Sequence, residues 1–119
     1  MTEAKDKHSP LHTELFELAG WTLDRTASFP KSQRHTFGRR LDDLCLGALE
    51  DETRARYAPR VETAEHLDAL NLELELMRVM WRLVKERGWI SLRQALHVHE
   101  RIDKAGRMAG AWRRSVGMT

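Results

Sequence analysis

The chain has 119 residues, a formal net charge of +2, 32% charged and 41% hydrophobic residues, and a single cysteine, Cys45. That length is one domain with room for a hydrophobic core, while one cysteine excludes an internal disulfide and points to a reducing, cytoplasmic location. No apolar run approaches the ~18 residues of a membrane span, and residues 1–9 alternate charges without an apolar h-region, so neither a membrane anchor nor a signal peptide is expected.

Residues 1–8 read as a disordered tail. The three prolines, Pro10, Pro30 and Pro59, each stand where one helical pattern gives way to the next. Ser9 before Pro10 is an N-cap followed by proline at the first helical position, and it opens a helix over 10–26 with Leu11, Leu15, Leu18 and Trp21 inward. Phe29-Pro30 closes the first connection. A second helix is expected over 32–57, with Phe37, Leu41, Leu44, Cys45, Ala48 and Leu49 at helical spacing. Its acidic end, Glu50-Asp51-Glu52, should be exposed. A third helix spans 60–87, where Gly88 supplies a left-handed stop. Ser91, with Gln94 three residues on, is a capping box that starts a fourth helix over 92–115, followed by a tail at 117–119. No stretch has the alternation or β-branched density of a strand. With connections this short, the expected fold is all-α: an up-down-up-down antiparallel four-helix bundle over residues 9–116.

The third helix is apolar on two sides. Leu67, Leu70, Leu74, Met77, Trp81 and Val84 make one stripe, and Ala69, Leu72, Leu76, Met80 and Leu83 make a second about a third of a turn away. A helix apolar on two faces must bury both, so Leu72, Leu76, Met80 and Leu83 are the expected interface with a second copy of the chain. Gly106 and Gly110, small residues four apart on the fourth helix, would admit another backbone.

Charge is sorted along the chain and around the last helix. Residues 76–119 carry ten basic against three acidic side chains, a net +7 that leaves the first 75 residues at −5. On the fourth helix, Arg93, His97, Arg101, Lys104, Arg107 and Arg114 fall along one side, and Leu92, Ala95, Leu96, Ile102, Ala105, Ala109, Trp112 and Val116 largely on the other. At ~1.5 Å per residue that cationic stripe runs roughly 30 Å, long enough to track several phosphates.

A search for catalytic chemistry returns nothing. His8 and His12 straddle the first helix start with no carboxylate to pair with, His97 and His99 point apart, and no Glu-x-x-His spacing for a di-iron bundle occurs. Cys45 lies on an apolar stripe and reads as a core residue. There is no phosphate loop and no serine elbow. No metal, cofactor or small-molecule substrate is expected. Of the four tryptophans, Trp21, Trp81 and Trp112 read as packing, and Trp89, beside Gly88, as the one that shows much of its ring.

Three segments carry a resemblance. Residues 29–41 contain F-P-K-S-x-R-x-x-x-G-x-R, residues 76–91 end in Arg87-Gly88-Trp89-Ile90-Ser91, and residues 102–112 contain I-x-x-x-G-R-M-x-G-x-W. In this order and spacing the chain resembles the accessory variability determinant proteins of diversity-generating retroelements. These sit in a wider four-helix-bundle superfamily that includes proteins encoded in intervening sequences of bacterial large-subunit ribosomal RNA genes. The resemblance covers all but the first eight residues. It implies a homopentameric barrel of four-helix bundles with a basic surface, which binds a reverse transcriptase and its template RNA and has no catalytic residues. Arg34, Arg39 and Arg40 near the start of the second helix, where backbone N–H groups favour anions, would then join Arg93, Arg101, Lys104, Arg107 and Arg114 in binding nucleic acid. The alternative is a structural oligomer of the intervening-sequence type. In it the basic residues only pair with acidic neighbours, as Arg78 and Arg82 would with Glu75 and Glu86.

Overall fold

The computed structural model describes residues 9–116; the expected tails at 1–8 and 117–119, with His8, lie outside the described residues. Four helices, α1 (Pro10–Thr26), α2 (Phe37–Tyr57), α3 (Arg60–Glu86) and α4 (Leu92–Val116), follow one another with one 3-10 turn, Lys31–Gln33, between the first two. Each packs on the next, and α1 also packs on α4, which closes a four-helix bundle of 44 × 25 × 23 Å. Among the described residues there is no strand.

Local signals set the ends of the helices. The Ser9 hydroxyl accepts the His12 N–H at 3.1 Å, and Pro10 begins α1. Gly88, at φ +77°, ends α3. There the Gly88 N–H donates to the Lys85 carbonyl and the Trp89 N–H to the Val84 carbonyl, at 3.0 and 3.1 Å, the paired bonds of a left-handed helix stop. The Ser91 N–H donates to Gln94 Oε1 at 2.9 Å and the Gln94 N–H to Ser91 Oγ at 3.1 Å, so the capping box is formed. The second helix starts at Phe37, later than expected. Residues 31–33 fold as a 3-10 turn and Thr36, at φ −119° and ψ −85°, leaves the helical region.

The core takes Leu11, Leu15 and Leu18 from α1, Leu41, Cys45 and Ala48 from α2, the whole Leu67-to-Val84 stripe from α3, and Val98, Ile102 and Ala105 from α4. Alanines on α2 and α4 leave room for the large α3 side chains. One end is closed by aromatic rings: Phe29 lies 6.1 Å from Trp81 and 5.3 Å from Trp89, which in turn lies 5.7 Å from Phe37. Trp89 is therefore half-buried, like Trp21 and Trp112, rather than the exposed ring of the four. Leu92 and Leu96 also depart from expectation. They sit off the Ala95–Val98–Ile102 face of α4 and are exposed.

Glu52 is the largest correction. It was placed on an exposed acidic end, yet it is fully buried, because position 52 continues the Leu41–Cys45–Ala48 face of α2 at i+4 spacing. Its carboxylate accepts from Arg56 Nε at 2.8 Å and from Ser9 Oγ at 3.3 Å, and lies 2.9 Å from His12 Nδ1. His12 thus has a carboxylate partner, on another helix. The cluster ties the start of α1 to the end of α2.

Candidate nucleic-acid interface and association face

On α4 the basic residues share one side, but they do not share one environment. Arg93, His97, Lys104, Arg107 and Arg114 are exposed, and Arg101 is half-buried. Arg101 Nη1 donates to Glu14 at 3.0 Å and to Glu17 at 2.9 Å, and Lys104 Nζ sits 3.0 Å from Glu14. Burial pushes the Glu14 carboxyl up, and the hydrogen bonds from Lys104 and Arg101 outweigh it and leave the group below the ordinary carboxylate value. The middle of the stripe is therefore bridged to α1, and its open charge lies at Arg93, Arg107 and Arg114. A groove of ≈ 310 Å³ runs between His97, Glu100, Arg101, Lys104 and Arg107. Arg113 grips Asp68 through Nε, at 2.8 Å.

The arginines before and within α2 divide in the same way. Arg34 Nε donates to the Phe29 carbonyl at 2.9 Å, which fixes the corner between α1 and α2. At Gly38 a Cβ would lie 3.4 Å from the Gln33 carbonyl oxygen and 3.5 Å from Thr26 Cβ. The F-P-K-S-x-R-x-x-x-G run thus builds a corner on which Arg34, though tied to it by one bond, stays exposed, as Arg39 and Arg40 do in the first turn of α2.

Arg78 joins the second and third motif segments. It holds Glu75 at 3.0 Å on α3 and Asp103 at 2.9 Å on α4, and a Cβ at Gly106 would lie 3.3 Å from its Nη2. Space expected to admit another backbone at Gly106 is taken by a guanidinium of the same chain.

The outer face of α3 is apolar and open. Leu72 is 60% exposed, Leu76 44% and Leu83 45%, with Met80 half-buried beside them. Val79, 55% exposed, belongs to the same stripe and was missed. Its spacing, three from Leu76 and seven from Leu72, was the available signal. Leu76 and Met80 also border a ≈ 330 Å³ depression shared with Arg40, Asp43 and Leu44.

For chemistry the described residues offer little. Burial, with Asp42 adding to it, pushes the Cys45 thiol up to about 12, so it stays protonated and a poor nucleophile. No group of three or more His, Cys, Asp or Glu among the described residues is placed to hold a metal ion. Among the described residues no helix is long and apolar enough to cross a membrane.

No curated protein matches the chain. The sequence model of the bAvd-like family matches residues 11–116, which takes in all four helices and the three motif segments. The resemblance read from those segments is borne out, and the chain belongs to the bAvd-like family, whose members are accessory, non-catalytic proteins.

Proposed function

We propose that the protein is a cytoplasmic retroelement accessory protein: a homo-oligomeric, non-catalytic scaffold, pentameric as the family resemblance implies, that binds RNA and a reverse transcriptase. The observation that carries this reading is the family match along the whole bundle. Two surfaces support it. The open α3 stripe of Leu72, Leu76, Met80 and Leu83 is apolar area that association would remove from water. Arg93, Arg107 and Arg114 on α4, with Arg39 and Arg40 on α2, are exposed guanidinium groups suited to phosphate. Arg101 and Lys104 both pair with Glu14 of α1, so part of their charge is met within the chain. Contacts of this kind position an RNA without reading its sequence, and repetition around an oligomer multiplies weak sites into avidity.

The structural-oligomer reading has its own supporting observation. Arg78, Arg101, Lys104 and Arg113 are all paired with carboxylates of this chain. A salt titration separates the two readings. Wild type and a variant with Arg93, Arg107 and Arg114 changed to glutamine are titrated against one structured RNA. The scaffold reading expects affinity to fall with salt at a log–log slope of about −0.7 to −0.9 per phosphate, and the variant's slope to be shallower by about 2–3. Equal binding by both proteins, or none at low salt, favours the structural oligomer.

A further inference from the structure

The groove on the α1 side of α4 carries more than positive charge. His97, Glu100, Arg101, Lys104 and Arg107 border its ≈ 310 Å³. His97 is exposed, and its ring leans on Trp21 with centroids 5.5 Å apart and planes at 44°. Trp21 in turn meets fully buried Trp81 edge-on at 5.3 Å, so the imidazole is a flat surface braced from the core. Glu100 stands three residues on and is exposed. Lys104, its i+4 neighbour, reaches Glu14 on α1 at 3.0 Å instead, and Arg101 takes Glu14 and Glu17. Glu100 is thus the groove carboxylate that no cation of the described residues meets. Arg93 and Arg107, exposed and without a carboxylate partner among the described residues, lie seven residues before and after it. Seven residues is close to two turns, so the three share one line on α4, about 10 Å from one to the next. We infer that this site takes one unpaired guanosine of an RNA strand: the base stacks on His97, its edge meets Glu100, and the flanking phosphates meet Arg93 and Arg107.

Each part of the site fits a different part of a nucleotide. The choice of an RNA strand rests on the nucleic-acid reading above; the choice of base follows from the groove. A run of phosphates laid straight along α4 would meet like charge at Glu100. A strand that turns a base inward there avoids this and brings hydrogen-bond donors to the carboxylate. The two oxygens of a carboxylate accept from two donors side by side, which guanine offers in N1–H and its 2-amino group. Adenine and cytosine offer an amino group beside an acceptor, and uracil one N–H between two carbonyls. Stacking needs an open base face, which a duplex hides and a single strand presents. Stacking tolerates any base, so His97 supplies affinity and Glu100 the choice, while the arginines position the strand. An acidic protein segment would also meet Arg93 and Arg107, but it brings Glu100 only like charge and gains nothing from the ring.

Fluorescence anisotropy with uridine oligomers of about ten nucleotides tests the inference. One carries a central guanosine, a second a central inosine, which lacks the 2-amino group, and a third is uridine throughout. A duplex containing the guanosine strand is the fourth probe. Wild type is expected to bind the guanosine strand roughly tenfold more tightly than the inosine and uridine strands, the scale of one two-bond base contact, and more tightly than the duplex. In Glu100→Ala that preference is expected to vanish while the uridine strand binds at least as well, since a negative charge beside the phosphates is gone. In His97→Ala all three strands are expected to lose roughly tenfold, the scale of one stacked base, and the duplex nothing. Equal binding of the three strands by wild type, or a guanosine preference that survives Glu100→Ala, overturns the inference and leaves phosphate contacts alone. Displacement of the guanosine strand by polyglutamate as readily as by unlabelled strand overturns it in favour of an acidic protein segment. No binding of any oligomer at low salt overturns the nucleic-acid reading itself. Should His97→Ala fail to fold, His97→Leu covers Trp21 without offering a flat ring and is read in its place.

Discussion

Removing the Glu52 carboxylate is expected to be the most damaging single change outside the apolar core. The side chain is fully buried, and the Arg56 side chain that it holds is only 7% exposed. In Glu52→Ala the Arg56 guanidinium loses that 2.8 Å bond in a place that water cannot readily repair, and half-buried His12 and Ser9 lose theirs. Breaking a buried pair from one side costs about 3–5 kcal/mol, a large part of the ~5–15 kcal/mol that stabilises a typical domain. Glu52→Gln keeps the shape and one acceptor, so its loss should be about half as large. Urea unfolding followed by far-ultraviolet circular dichroism measures both variants. With an unchanged m-value, the midpoint shift gives the loss directly. A loss below about 1 kcal/mol for Glu52→Ala would refute the cluster as the clamp between α1 and α2.

Two further outcomes concern titratable groups. Burial, reinforced by Asp51 and Glu50 and opposed by Arg54, pushes the Glu73 carboxyl up to about 8. The folded state then keeps a proton that the unfolded chain has lost, so stability falls as pH rises from about 4.5 to about 8 and levels off above. In Glu73→Gln that fall is absent. Its melting temperature should gain on wild type between pH 5 and pH 8.5 by an effect that screening of this half-buried group holds to about 1 kcal/mol, and an equal difference at both pH values would contradict the assignment. Cys45, with its thiol pushed up to about 12, should resist iodoacetamide at pH 8 until the chain is unfolded in urea. Alkylation of the native protein at the rate of a free thiol would show that the residue is not sealed in the core.

Helix ends and the α3 core stripe were legible because they depend on neighbours within a turn. Ser9-Pro10, Gly88 and the Ser91/Gln94 pair act locally, and Leu67 to Val84 repeat at helical spacing. Glu52 was misread because its chemical type, next to Glu50 and Asp51, outweighed its position on the core face. Of the partners that permit its burial, Arg56 is four residues on, but His12 and Ser9 lie 40 and 43 residues away in the chain. The α4 stripe was legible as a pattern, but its partial neutralisation was not, since Arg101 and Glu14 are 87 residues apart. Gly106 has the same explanation: small-residue spacing marks a close approach without saying that Arg78 makes it.

Sedimentation velocity at micromolar concentration, with and without one structured RNA at low salt, tests the scaffold most directly. The expected result is a single species several times the 13.8 kDa of one chain, which moves to a faster boundary together with the RNA. A 13.8 kDa species beside an RNA boundary that does not shift would contradict it.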